Sequence, residues 1–231
     1  MSGRGKSILI RTSSTPSVTI GLTLSTSPSQ LSLSSLSTNS FYVVVTARVI
    51  KTPRPGQCIT LAKRLSPLAS LENRSFADII CSNNSEKKIE IYPINWPHFF
   101  FDMNNLREDW EFVTIPPPGK GVFTTQLEVP RDKLEAVDLM EGERYHITLT
   151  DKCLGTFWWC YGSLTDLEGI RLRQWESQED RARERQYEAS WKLDEEERIQ
   201  KYGKGPVSFG EEPQMLAMVP EGEGVEFEVV K

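Results

Sequence analysis

Val18, Ile20, Leu22 and Leu24 alternate with small polar residues, the period of two that a half-buried strand requires. The run FYVVVTARVI at 41–50 is richer still in β-branched and aromatic residues, and Pro53, Pro55 and Gly56 end it. Further strands are predicted at 58–62, 76–81, 87–93, 110–115, 122–129, 144–150 and 156–161. Pro116-Pro117-Pro118-Gly119 closes one of these, and the Ser/Thr-rich stretch 26–40 reads as a loop or weak edge pairing. Near the end, Val225, Phe227 and Val229 alternate with Glu226 and Glu228 after the turn EGEG, which predicts a last strand pairing back with the earlier ones.

One segment departs from this period. Residues 176–202 carry acid-to-base pairs four apart, Glu179 with Arg183, Glu188 with Lys192, Asp194 with Arg198 and Glu197 with Lys201. Ser177 with Asp180 resembles a capping box, and Gly203 followed by Pro206 supplies a stop, so a long charged helix is predicted there. Trp175, Ala182, Ala189 and Leu193 fall on one side of it, and Tyr187, Trp191 and Tyr202 on nearly the opposite side. One stripe is expected to seat on the strands and the other to face a protein partner.

Strand-like runs of this length separated by turn signals predict a mainly β fold, an immunoglobulin-like antiparallel β-sandwich with one long charged helix near the C-terminus and a final returning strand. The expected divisions are a flexible basic tail at 1–17, the β-sandwich at 18–170, the charged helix at 171–204, and a loop with the terminal strand at 205–231. Within the sandwich, Gly142-Glu143-Arg144-Tyr145 reads as a turn entering a strand, and Tyr145 as a corner residue whose hydroxyl bonds to an upstream backbone group.

A chain of 231 residues, 38% hydrophobic and 10% aromatic, can bury one large core. Its longest apolar runs are far short of the ~20 residues that cross a bilayer, and its N-terminus lacks the apolar stretch of a signal peptide. No membrane association is expected, and a cytoplasmic or nuclear location follows. The four cysteines, Cys58, Cys81, Cys153 and Cys160, form no CxxC pair and read as buried thiols, with a Cys153–Cys160 bridge the secondary reading. Charge is uneven: the first 71 residues hold eight Lys or Arg and no acid, while 205–231 hold six Glu against one Lys. Those basic residues lack the interleaved aromatics of a single-strand platform, which argues against nucleic acid.

Chemistry is sparse. His98 and His146 belong to no ligand spacing, so no metal and no cofactor are predicted. Tyr161-Gly162-Ser163-Leu164 lacks the first glycine of a nucleophile elbow. The region 95–112 combines Trp96, Phe99 and Trp110 with Asp102, Glu108, Asp109 and Glu111, and aromatics in loops are less readily explained by packing than those in strands. Trp96, Phe99, Trp110, Tyr187 and Trp191 are therefore the candidate binding residues; no catalytic residue is assigned.

The blocks GERYHITL, LGTFWWCYG, LEGIRLRQW and EGEGVEFEVV give the chain its strongest likeness. With them it resembles a group of uncharacterised filamentous-fungal proteins that share a Gly-Glu-x-Tyr turn, an LGTxWW block and an LR-x-W segment. The resemblance covers most of 18–231 and implies an intracellular immunoglobulin-like sandwich without known activity. A weaker likeness, through Gly142, Glu143 and Tyr145, is to the β-rich propeptide domains of fungal zinc endopeptidases, but the chain has no HExxH helix. The expectation is a non-catalytic protein-interaction module. Its competitor is a small-molecule-binding protein or pocket enzyme whose cavity is lined by Trp96, Phe99, Trp110 and Trp159, with Asp109 as acid or base.

Overall fold

The computed structural model describes residues 15–64, 66–71, 76–91, 106, 111–150, 154–177, 179, 182, 183, 186, 196 and 205–231. The described chain is mainly β. The alternation at its start builds β1 (Val18–Ser27), longer than predicted, which pairs antiparallel with β3 (Tyr42–Lys51). Val43, Val45, Ala47 and Val49 point inward from β3, while Arg48 and Ile50 are exposed. β8 (Phe123–Glu128) flanks β3 antiparallel, and β13 (Leu216–Pro220) flanks β1 in parallel, giving a four-stranded sheet ordered β13-β1-β3-β8.

A five-stranded sheet holds β2 (Gln30–Ser32), β5 (Ala77–Cys81), β6 (Asn84–Ile89), β9 (Arg144–Leu149) and β14 (Val225–Val230), in the order β2-β14-β9-β5-β6. The terminal strand thus returns to the interior of a sheet, antiparallel to β9. Ile20 and Val45 of the first sheet and Ile147, Phe227 and Val229 of the second belong to one buried cluster. Phe41 and Phe227 meet within it at 4.6 Å between ring centroids.

A three-stranded sheet, β10 (Trp159–Tyr161), β4 (Ile59–Ala62) and β7 (Phe112–Ile115), is covered on both faces. Ile59, Leu61, Ile115 and Trp159 join the main cluster, whereas Ala62, Cys160 and Phe112 turn to a second cluster with Trp158, Leu167 and Leu172. That two-sided burial explains why β4 reads as a continuous apolar run broken only by Thr60. The Thr60 hydroxyl lies 2.9 Å from that of Thr114 and donates to the carbonyl of Gly162 at 2.7 Å.

Three strands were not predicted from the pattern: β13 and the parallel pair β11 (Arg171–Arg173) and β12 (Val207–Phe209). β11 and β12 are three residues long, too short for a period to show; β2 is an edge strand within 26–40, where a loop or weak edge pairing was expected. The all-antiparallel expectation is also corrected, because β1–β13, β2–β14 and β11–β12 are parallel pairs. Each joins segments far apart in sequence, as parallel pairing demands, since a tight turn cannot reverse the chain twice.

The predicted helix needs a correction at its start. Glu176 and Ser177 are not helical; Glu179, Ala182, Arg183, Gln186 and Glu196 are helical and exposed; the other residues of 178–202 lie outside the described ones. Glu176 pairs with Arg173 at the end of β11, Nη2 to Oε1 2.8 Å. Ala182, assigned to the buried stripe, is exposed. The helix described from end to end, α1 (Arg131–Glu135), is short and seats Leu134 in the core.

Candidate functional site

The tryptophan pair that follows Thr156 organises the place where residues 174–206 leave the sheets. Trp159 opens β10 and Trp158 immediately precedes it in sequence; their side chains enter different cores, Trp158 the second cluster and Trp159 the first. Both are fully buried, and each indole N–H needs an acceptor. Trp158 Nε1 donates to the carbonyl of Arg173 at 2.7 Å, and Trp159 Nε1 to that of Glu212 at 3.1 Å. The amide of Gly210 also reaches the Arg173 carbonyl, at 3.0 Å, and the amide of Glu211 the Trp159 carbonyl, at 2.7 Å. One indole thereby holds the last residue of β11, and the other the chain beyond β12.

Gly210 is required here for approach rather than for a turn. A Cβ at this position would lie 2.5 Å from Trp158 Nε1, and the buried ring has nowhere to retreat. Across the parallel pair, Arg171 faces Val207 and Arg173 faces Phe209. The Arg173 guanidinium stacks 5.1 Å from the Phe209 ring centroid, and Arg171 Nη2 donates to the Gly205 carbonyl at 3.2 Å. Residues 174–206 therefore form an excursion whose two ends are fastened to the same small sheet, with Glu179 and Arg183, 3.8 Å apart, exposed along it.

A second polar centre lies where β9 begins. Gly142, at φ +84°, turns the chain so that its amide bonds to Val229 O and the Val229 amide to Glu143 O, each at 2.8 Å. The Glu143 carboxylate then receives Lys87 Nζ at 2.6 Å, the Met140 amide at 2.9 Å and the Tyr145 hydroxyl at 3.1 Å. Burial by itself raises its pKa, but the bonds from Lys87, Met140 and Tyr145 outweigh that and hold the carboxyl below its ordinary value. Burial, reinforced by this negative charge, pushes the Tyr145 hydroxyl up. The corner expectation is corrected in its acceptor: Tyr145 bonds to a carboxylate two residues upstream, which reaches the upstream backbone at Met140 on its behalf.

None of the five predicted binding residues can be placed: Trp96, Phe99, Trp110, Tyr187 and Trp191 lie outside the described residues, as do Asp102, Glu108 and Asp109. Glu111 is described, exposed and paired with Lys63 Nζ at 2.9 Å. Trp159, assigned to a cavity wall, is instead a core residue, 1% exposed and edge-on to Tyr161 at 5.3 Å. Its indole is used to hold Glu212, which a cavity residue facing a ligand would not do.

The other chemistry-bearing groups have structural partners. His146 Nε2 lies 2.9 Å from the Glu223 carbonyl, and since a carbonyl only accepts, that nitrogen carries the proton. Ser163 Oγ donates to Asp166 Oδ2 at 2.8 Å, while its amide donates to the same oxygen at 2.7 Å, closing a small turn. Cys160 is a free thiol, which removes the Cys153–Cys160 bridge, and burial with the nearby Glu211 charge pushes its pKa up to about 12. Among the described residues no three His, Cys, Asp or Glu side chains gather as a metal site, and no helix is long and apolar enough to cross a membrane.

The excursion root was missed from sequence because its signals are single residues. Gly210 and the carbonyls of Arg173 and Glu212 carry no pattern; only the paired indole N–H groups, which must find acceptors when buried, announced that something would be tied down there. No family model, no curated protein and no solved structure matches this chain.

Proposed function

We propose that the chain is a non-catalytic, immunoglobulin-like β-sandwich that serves as a protein-interaction module, with the excursion 174–206 as its partner-facing element. The observation that carries this reading is the fastening of the excursion: a charged segment, exposed at Glu179, Ala182, Arg183, Gln186 and Glu196, departs beside the Arg173 carbonyl held by one buried indole and returns to a stretch held at Glu212 by the other. The inward faces of the four- and five-stranded sheets share one core, which supports the sandwich.

The non-catalytic part rests on the occupied state of the reactive groups. Glu143 has three donors, the Ser163 hydroxyl belongs to a turn, and Cys160 is a protonated buried thiol. The likeness to the fungal group points the same way. Its shared Gly-Glu-x-Tyr turn is the Glu143 centre, and its LGTxWW and LR-x-W blocks contain Trp158, Trp159, Leu172 and Arg173, residues that hold the fold and the root.

The test is native mass spectrometry of the protein isolated gently from its own host, beside a variant with residues 178–204 replaced by a Gly/Ser linker. A bound protein present with the full chain and lost from the variant is expected. A partner retained by the variant, or a small-molecule adduct in place of a protein, would overturn the reading.

A further inference from the structure

Among the described residues β8 is the outer strand of the four-stranded sheet, with one side unpaired. The amide of Val129 bonds to the carbonyl of Phe41 at 2.9 Å, which sets the phase of the β3–β8 ladder. Counting back by twos, Leu127, Thr125 and Phe123 direct their backbone groups to β3, and Glu128, Gln126 and Thr124 direct theirs outward. Among the described residues none pairs with that outward side. Natural edges are usually protected by lysine, proline or a bulge. β8 carries a single charge, Glu128 at its end, has no lysine or proline, and its register with β3 is unbroken. A groove bordered by Ala69, Ser70, Gln126, Glu128 and Pro130 runs beside its second half.

We propose that this edge joins a second copy of the chain, β8 to β8 antiparallel across a two-fold axis at Gln126, so that two four-stranded sheets become one. The sequence of the strand suits this register. Centred on Gln126, it sets Thr124 opposite Glu128 of the other copy, so no like charges face each other. It also sets Val122, a large apolar side chain 51% exposed, opposite Pro130, whose missing N–H ends the ladder there. An isologous contact of this kind is closed, so it yields a dimer and not a fibre. A peptide of another protein added to the same edge would need none of this self-complementarity.

The wild-type chain, measured by analytical ultracentrifugation up to about 0.5 mM because edge contacts of this size are weak, is expected to show a concentration-dependent dimer. Gln126→Lys leaves every β3 bond in place but opposes two ammonium groups across the axis, and should raise the dissociation constant by at least about tenfold at unchanged Tm. Amide exchange on the wild type gives an arm independent of any variant: the amides of Thr124, Gln126 and Glu128 should slow as concentration rises. A wild type that stays monomeric, a dimer indifferent to Gln126→Lys, or a dimer whose β8 amides exchange as in the monomer would each overturn the proposal.

Discussion

Arg48 and Glu221 meet across the backbone of Gly21 in a two-pronged ion pair, Nε to Oε2 2.7 Å and Nη2 to Oε1 2.6 Å. β1 lies between the two, so the pair ties β3 to the residue that follows β13. It passes flat over the one residue of β1 without a side chain: a Cβ at Gly21 would come within 2.1 Å of the Glu221 carboxylate. The paired carboxylate is held below its ordinary pKa by the bond to Arg48, against the opposing effect of burial.

Gly21→Ala therefore breaks the pair without breaking the sheet. The obstructing atoms are the end of a flexible side chain that can swing into solvent, and exposed ion pairs contribute about 0–1 kcal/mol. Chemical denaturation should give a stability within about 1 kcal/mol of wild type, with less dependence on salt. A loss several times larger would mean that the glycine serves the backbone instead.

Gly210→Ala behaves differently, because the obstructing atoms belong to a buried ring. Forcing Trp158 aside in a packed core destabilises by roughly 1–3 kcal/mol or more and pulls its indole from the Arg173 carbonyl. Thermal unfolding should register the loss, and near-ultraviolet circular dichroism a changed tryptophan environment. Trp158→Phe, which removes the N–H but keeps an aromatic ring, should lower stability by about 1–3 kcal/mol.

Acid sensitivity follows from Glu143. Its folded pKa lies below the unfolded value, so its contribution is complete above the ordinary carboxylate range and is lost as pH falls through the folded value. Glu143→Gln should lower stability near neutral pH by about 1–2 kcal/mol and flatten the fall in stability below about pH 4.5. An unchanged acid slope in urea melts across that range would remove Glu143 as its source.

Thiol reactivity should separate the cysteines by their surroundings. Cys81 and Cys160 are buried and Cys58 is partly exposed. With a pKa near 12 by burial and the Glu211 charge, Cys160 is protonated at any ordinary pH. A maleimide at mildly alkaline pH should label Cys58 in the native protein and reach Cys81 and Cys160 only with urea. Early mass labelling at Cys160 would contradict its placement.

The long strands were legible because their residues obey two demands at once. β1, β3, β8, β9 and β14 each alternate, with one side in the common core, and β4 is marked by an apolar run interrupted only at Thr60. β11 and β12 were invisible since three residues are too few to display a period, and for the same reason β2 showed only as a loop or weak edge pairing. β13 was hidden by Pro213 and Pro220 at its borders, which read as loop signals. At Glu143 the turn and Tyr145 were readable, but Lys87 comes from β6, and nothing local in either segment says that an ammonium arrives from that strand. The excursion was legible as an insertion, whereas its root depends on carbonyls, which every residue possesses.

The parallel closure of β11 and β12 has a bearing on how this chain can vary. Because Arg171 pairs with Val207, the exit at Arg173 and the re-entry at Val207 are separated by about one strand spacing and two residue rises, roughly 8 Å. Loop-closure entropy grows only with the logarithm of length, about 0.6 kcal/mol for each doubling. The intervening segment can thus be lengthened, shortened or exchanged with small consequence for folding, so long as the two indoles and Gly210 beneath it are kept.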